Sequence, residues 1–304
     1  MLKHIIFAIL CLITSLRAEV PSLHAGEVYH VFLLAGQSNA EGLNFEASSF
    51  HRGEQGRLPL KKEPADEKVI LIGGGDVFKA ESALTTLMAR GETYGPEIGL
   101  GRELVAGGVP NVVIVKLAKG GTSMRQWLKD SPHDVMWGDQ TAHLYETLVA
   151  RTHYAIAQLK ARDGGTATVK LRGLFWMQGE ADAFHSEALL YPERLHQFVS
   201  DLRKDLNAPD LPFIAGRTAI TQPKKDDGLD LIRTAQMQVT DGLHPKYSLQ
   251  HAAWVSVDDI AQSPKSSTVD GVKLPMGGLI DPQHFTPEAY AIFGARLAKK
   301  WLQL

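Results

Sequence analysis

Residues 31–42 read VFLLAGQSNAEG. An apolar run ends at Gly36, and the chain then turns polar at Gln37, Ser38 and Asn39. A short, uniformly apolar run that stops at a glycine is the pattern of a strand buried on both faces, as in a parallel sheet. The polar residues then fall at the carboxyl end of that strand, where open α/β sheets hold their ligands. Ser38 admits two readings there. It can cap a following helix, since Ser and Asn are favoured at that position, or it can act as a nucleophile.

Working outward, apolar runs of strand length recur at 28–35 (VYHVFLLA), 111–118 (NVVIVKLA), 169–177 (VKLRGLFWM), 211–216 (LPFIAG) and 252–257 (AAWVSV). Between them, 95–108, 141–165, 186–207, 229–240 and 286–302 keep helical spacing, several of them closed by glycines. Alternation of this kind predicts a mostly parallel sheet covered by helices on both faces. Residues 43–93, 217–228 and 262–283 lack periodicity and are expected as long loops over the carboxyl ends of strands. No linker divides the chain, so one domain is expected over 26–304.

Composition narrows the function classes. The chain has 304 residues, 44% hydrophobic and 22% charged, enough for a sizeable core, and a net charge of −2. That charge argues against nucleic acid or an anionic membrane surface as the main partner. MLKHIIFAILCLITSLRA, residues 1–18, has a basic start, an apolar run and a small residue at its end, which predicts a signal peptide and a secreted or periplasmic protein. No other segment is apolar enough to span a bilayer. The single cysteine, Cys11, lies in that leader, so the mature chain is expected without disulfides, a thiol nucleophile or a cysteine-based zinc site. His143, His153 and Tyr145 lie on one periodic helix and do not form a metal set, and no metal is expected. Nothing in the sequence fixes an oligomeric state.

The remaining strand ends carry chemistry. AKGGTSMRQW (118–127) sets Gly120 beside Gly121. FWMQGEADA (175–183) gathers Gln178, Gly179, Glu180 and Asp182. DPQHFTPEAY (281–290) puts Asp281 three residues before His284. Serine-based ester hydrolysis needs an imidazole to take the hydroxyl proton, a carboxylate to fix that imidazole and N–H donors around the developing oxyanion. Ser38, His284 and Asp281 supply the hydroxyl, the imidazole and the carboxylate. The N–H groups of Ser38 and of Gly120 or Gly121, with the Gln178 amide, are candidate oxyanion donors. Gln37, Asn39, Arg125 and Trp127 are candidates to meet substrate; Arg217, Arg233 and Gln236 stand behind them. Each has a plainer reading: a turn at the glycines, a core role for Trp127, and caps of a helix near Ser186 for Glu180 and Asp182. GQSNA departs from the Gly-x-Ser-x-Gly elbow at Ala40, and no βαβ units precede it, which argues against an α/β-hydrolase.

These blocks, GQSNAEG, KGGTSMRQW, WMQGEADA and DPQHFTPEAYAIFG, with YGPEIGLGREL and IRTAQ, together resemble the SGNH hydrolases. The similarity is to their sialate O-acetylesterase-type branch, which includes carbohydrate esterase family six, and runs from about Val28 to the end. The resemblance implies a three-layer, flavodoxin-like α/β/α fold, no cofactor, removal of acetyl groups from sugar hydroxyls through an acetylated Ser38, and Glu180 of the Gln-Gly-Glu block as the alternative to Asp281 for the acid. Acetylated xylan and O-acetylated sialic acid both fit. A non-sugar acyl esterase of the same fold and a non-catalytic carbohydrate-binding protein remain as rivals.

Overall fold

The computed structural model describes residues 27–44, 66–74, 84–87, 93–132, 135–137, 140–162, 164–222 and 226–304. The leader expected at 1–18 lies outside the described residues.

Seven strands form the central sheet: β1 (Val28–Gly36), β2 (Asp66–Gly74), β3 (Leu84–Leu87), β4 (Val112–Ala118), β5 (Thr168–Met177), β6 (Phe213–Gly216) and β7 (Ala252–Val255). Their order is β7-β6-β5-β1-β4-β2-β3. Every pairing is parallel except that of β2 with the edge strand β3. The inner order β4-β1-β5-β6-β7 is that of a flavodoxin-like sheet, with β2 and β3 added outside β4. From β1 the chain lays down β2 and the edge strand β3 on one side, returns to β4 beside β1, and then crosses to β5 on the other side. The cleft between the carboxyl ends of β1 and β5 is therefore the topological switch point.

Both faces of β1 are buried, which explains its unbroken apolar run. Val31, Leu33 and Ala35 face a core closed by α3 (Leu144–Arg162), α4 (Tyr191–Asp205) and α5 (Gly228–Thr240). Phe32 and Leu34 face a second core closed by α2 (Pro96–Ala106) and α6 (Pro287–Leu302). A short helical turn, α1 (Ser38–Glu41), follows β1 directly. The result is a three-layer α/β/α arrangement.

Two expected loops contain regular structure. Strands β2 and β3 fall inside 43–93, where a charged stretch hides a short apolar run (VILI, 69–72) that docks against β4. Within 262–283, Ser267–Val269 and Val272–Leu274 form an antiparallel hairpin. Its turn residues Asp270 and Gly271 have φ of 49° and 79°, the positive values a two-residue hairpin turn requires.

Helices α2 and α6 approach through glycines. A Cβ on Gly99 would stand 1.8 Å from the Ala291 carbonyl oxygen, and one on Gly294 would stand 1.9 Å from that of Pro96. Because backbone rather than a side chain blocks the space, the helices themselves must separate to admit a methyl group. Gly294→Ala is expected to cost about 1–3 kcal/mol, read as a lower midpoint in denaturant unfolding. An unchanged midpoint would show that the two helices have slack.

Candidate active site

The end of β1 lies against the end of β5. Gly36 has φ of +138°, and a Cβ there would sit 2.1 Å from the Met177 carbonyl oxygen, so only glycine fits. The Gln37 N–H donates to that same carbonyl at 2.9 Å. The Gln37 side chain stitches the two strand ends further, its Oε1 accepting the N–H of Gly179 (3.4 Å) and of Ala181 (3.3 Å). Ser38 thus starts α1 at the switch point, and its own N–H heads the helical turn, where no intrahelical acceptor exists.

Beneath α1 lies a buried ion pair. Lys116 on β4 and Glu97 at the start of α2 are each 1% exposed and meet at 2.7 Å. Lys116 Nζ also donates to the Glu41 carbonyl at 2.7 Å, satisfying the carboxyl end of the short turn.

His284 comes from the loop before α6. Asp281 Oδ1 accepts the N–H groups of Gln283 (2.7 Å) and His284 (2.8 Å), while Oδ2 meets His284 Nδ1 at 2.8 Å. His284 Nε2 lies 3.1 Å from Ser38 Oγ. An ionised carboxylate only accepts, so the ring proton sits on Nδ1 and Nε2 is left to accept from the Ser38 hydroxyl. Burial alone would raise the Asp281 pKa, but the bonds from the His284 ring and the two N–H groups outweigh it and bring it to about 2. The bond to Asp281 raises the His284 pKa above its usual value against partial burial, and the charges of Asp281, Glu180 and Glu41 push the same way.

The histidine loop is registered to the nucleophile by amides. The Gln283 carbonyl accepts from Asn39 Nδ2 and from Gln222 Nε2, both at 3.0 Å. Asn39 also donates to Glu180 Oε1 (2.8 Å) and accepts from the Tyr290 hydroxyl (3.0 Å). Glu180 is therefore bonded to Asn39, and burial pushes its pKa up against that bond.

The other expected site residues are placed as follows. Gly120 donates its N–H to Glu41 Oε2 at 2.7 Å, and a Cβ on it would stand 3.5 Å from Ser38 Cβ. Gly121 is exposed at the same turn. Gln178 departs from the oxyanion-donor expectation. It is fully buried, and its amide donates to the Thr122 carbonyl (3.2 Å) and to Asp182 Oδ2 (2.5 Å). Asp182 also accepts the Met124 N–H at 2.7 Å, so this network fixes the segment after the glycine pair. Burial takes the Asp182 pKa up to about 6, against those two bonds.

Gln37 and Asn39, expected on the substrate side, are buried and bonded within the protein, at 4% and 1% exposure. Trp127 is likewise buried, donates to Thr122 Oγ1 at 3.0 Å and packs edge-on to Trp176. Arg125 alone of those four is exposed. Arg217 and Arg233 both pair with Asp258, and Gln236 donates to the Gln178 carbonyl at 2.8 Å. Among the described residues no group of three or more His, Cys, Asp or Glu side chains is placed to hold a metal. The sequence reading passed over Glu41, Lys116, Gln222 and Tyr290. A lone lysine in an apolar strand marked Lys116, and a position one turn from Ser38 marked Glu41. Gln222 and Tyr290 carried no such signal.

A doubly wound sheet thus holds Asp281, His284 and Ser38 in one hydrogen-bonded path at its switch point. Residues 28–303 match the family described as carbohydrate esterase, sialic acid-specific acetylesterase, and the chain belongs to that family. A probable carbohydrate esterase of Arabidopsis thaliana is 29% identical over 212 residues, which span 60% of this chain and 66% of that protein. The X-ray structure of that plant protein superposes with a TM-score of 0.60 at 21% identity, covering 90% of this chain and 98% of the other. The structure of NanS gives 0.58 at 17% identity, covering 92% and 98%. A carbohydrate acetylesterase from Xanthomonas citri gives 0.57 at 18%, covering 88% of this chain and 55% of that one.

The electrostatics of the His284 pair predict a pH profile. Only neutral His284 can take a proton, so kcat/KM on a soluble acetyl ester should climb with pH through a midpoint above the usual histidine value. Asp281→Asn removes the largest raising influence. Its midpoint should move to lower pH while kcat falls about 10³- to 10⁴-fold. An unmoved midpoint would disconnect Asp281 from the base.

Proposed function

We propose that this chain is a serine esterase that removes O-acetyl groups from carbohydrate, either acetylxylan-like polysaccharide or O-acetylated sialic acid, through an acetyl-Ser38 intermediate. The observation that carries the reading is the continuous path from Asp281 to His284 (2.8 Å) to Ser38 Oγ (3.1 Å) at the switch point. The family match and relatives described as carbohydrate esterases support the sugar as leaving group.

Ser38 Oγ attacks the acetyl carbonyl as its proton passes to His284 Nε2. The oxyanion accepts from the N–H groups of Ser38 and of Gly120 or Gly121. Collapse breaks the ester bond, and His284 returns the proton to the departing sugar oxygen. Water then enters, His284 takes one of its protons, the hydroxide oxygen attacks the acetyl carbon, and acetate leaves as Ser38 regains its hydrogen. Asp281 stays ionised throughout and stabilises the imidazolium.

Acetate release from acetylated xylan and from O-acetyl sialic acid, with Ser38→Ala alongside, tests this. The alanine variant should lose at least about a thousandfold, and wild type quenched during turnover should carry acetyl on the peptide containing Ser38. Equal rates in the two proteins would reduce Ser38 to a helix cap and sink the mechanism.

A further inference from the structure

One of the candidate oxyanion donors, the Gly120 N–H, is already in use. Gly120 runs directly against Ser38, yet its N–H donates to Glu41 Oε2 at 2.7 Å. Glu41 is the last residue of α1, three positions after Ser38, and so lies on the same side of the turn. Its main chain is fixed from below by Lys116, which the buried Glu97 holds in place. Glu41 is half-buried. An anionic acceptor thus stands where an ester's acyl oxygen needs a donor. An N–H bonded at this distance to a carboxylate makes one of the stronger protein hydrogen bonds and has little left for a second acceptor.

We propose that Glu41 is the resident acceptor of the oxyanion site and determines which acyl species that site admits. The inference rests on the serine-esterase reading of the same residues. A neutral acyl carbonyl displaces the carboxylate, which turns outward to water, and charge then develops on the acyl oxygen against the Ser38 and Gly120 N–H groups. A carboxylate cannot make this exchange on equal terms, because it meets the Glu41 charge a few ångströms away at a partly desolvated position. Glu41 therefore weakens substrate binding somewhat and weakens binding of the product anion, acetate, far more. It acts as a filter that keeps product from returning to the site.

Wild type, Glu41→Ala and Glu41→Gln are compared on a soluble acetyl ester for kcat, KM and inhibition by acetate. Acetate binding is followed separately by NMR titration, which needs no turnover. Labelling of Ser38 by a fluorophosphonate is measured in all three proteins. In Glu41→Ala the acetate inhibition constant and dissociation constant should fall about tenfold or more, and KM should fall several-fold. Glu41→Gln, which keeps the shape and loses the charge, should fall between and guards against misfolding of the alanine variant. Unchanged acetate affinity in both variants, with Ser38 still labelled, would overturn the proposal and leave the esterase reading standing. A large loss of kcat with unchanged acetate affinity would overturn it too, making Glu41 a support for the Gly120 peptide. Absence of both labelling and turnover in wild type would sink the esterase reading itself and Glu41's role with it.

Discussion

The site depends on how closely two parallel strands converge. Gly36 rests on the Met177 carbonyl with no room for a Cβ, and Gln37 then bonds to both the backbone and the turn of the neighbouring strand end. Adjacent strands in a sheet usually diverge toward their connections, and at a switch point the connections leave in opposite directions. Here the two strand ends stay bonded past Gly36, through the main chain and the side chain of Gln37. Ser38 consequently emerges at a fixed height above the sheet, and the loop that carries Glu180 begins at the same level. A side chain on residue 36 would push the strands apart and move the nucleophile from the imidazole that reaches it from the far end of the chain.

That position is reinforced by charge from below. Burying Lys116 and Glu97 together costs both their hydration, and such pairs often add little net stability over apolar packing. What this pair supplies is an ammonium group with a further proton to donate, and it spends that proton on the Glu41 carbonyl. A one-turn helix has almost no internal hydrogen bonding to hold it, since nucleation is its least favourable step. An external donor at its carboxyl end makes up for this. The ion pair therefore acts on geometry more than on stability, and removing either partner would leave an uncompensated buried charge under the nucleophile.

Much of this was legible in the sequence, and the failures share a cause. Strands β1, β4 and β6 announced themselves as continuous apolar runs because both faces of each are covered, while β5 is buried only in its second half and β7 only at alternate positions. The blocks at their ends marked where side chains would gather. Strand β2 was missed because four apolar residues between charges and glycines do not separate a strand from a loop. The hairpin at 267–274 carried its Asp-Gly signal, yet each of its strands is only three residues long. For Gln37, Asn39 and Gln178, sequence located the residue and misjudged its direction, while for Trp127 the core alternative is the one the structure shows. Spacing places a side chain along the chain. It does not show which way an amide turns when its partners come from far off. Asn39 finds its own 141 to 251 residues away.

The two carboxylates near His284 illustrate the same limit and how environment resolves it. Spacing puts Asp281 forward to support the imidazole, and the family resemblance puts forward Glu180. Asp281 accepts from the ring and from two backbone N–H groups, and this holds it ionised despite partial burial. Glu180 is more deeply buried, receives one amide hydrogen from Asn39, and is pushed toward its neutral form. Environments that drive two neighbouring acids apart divide their roles. A group that is to stabilise an imidazolium has to be charged and in contact with it, and of the two carboxylates Asp281 meets both conditions. Glu180 instead orients Asn39, whose amide ties the serine turn to the histidine loop. Its effect on the reaction then runs through the distance between Ser38 and His284 and not through a proton of its own.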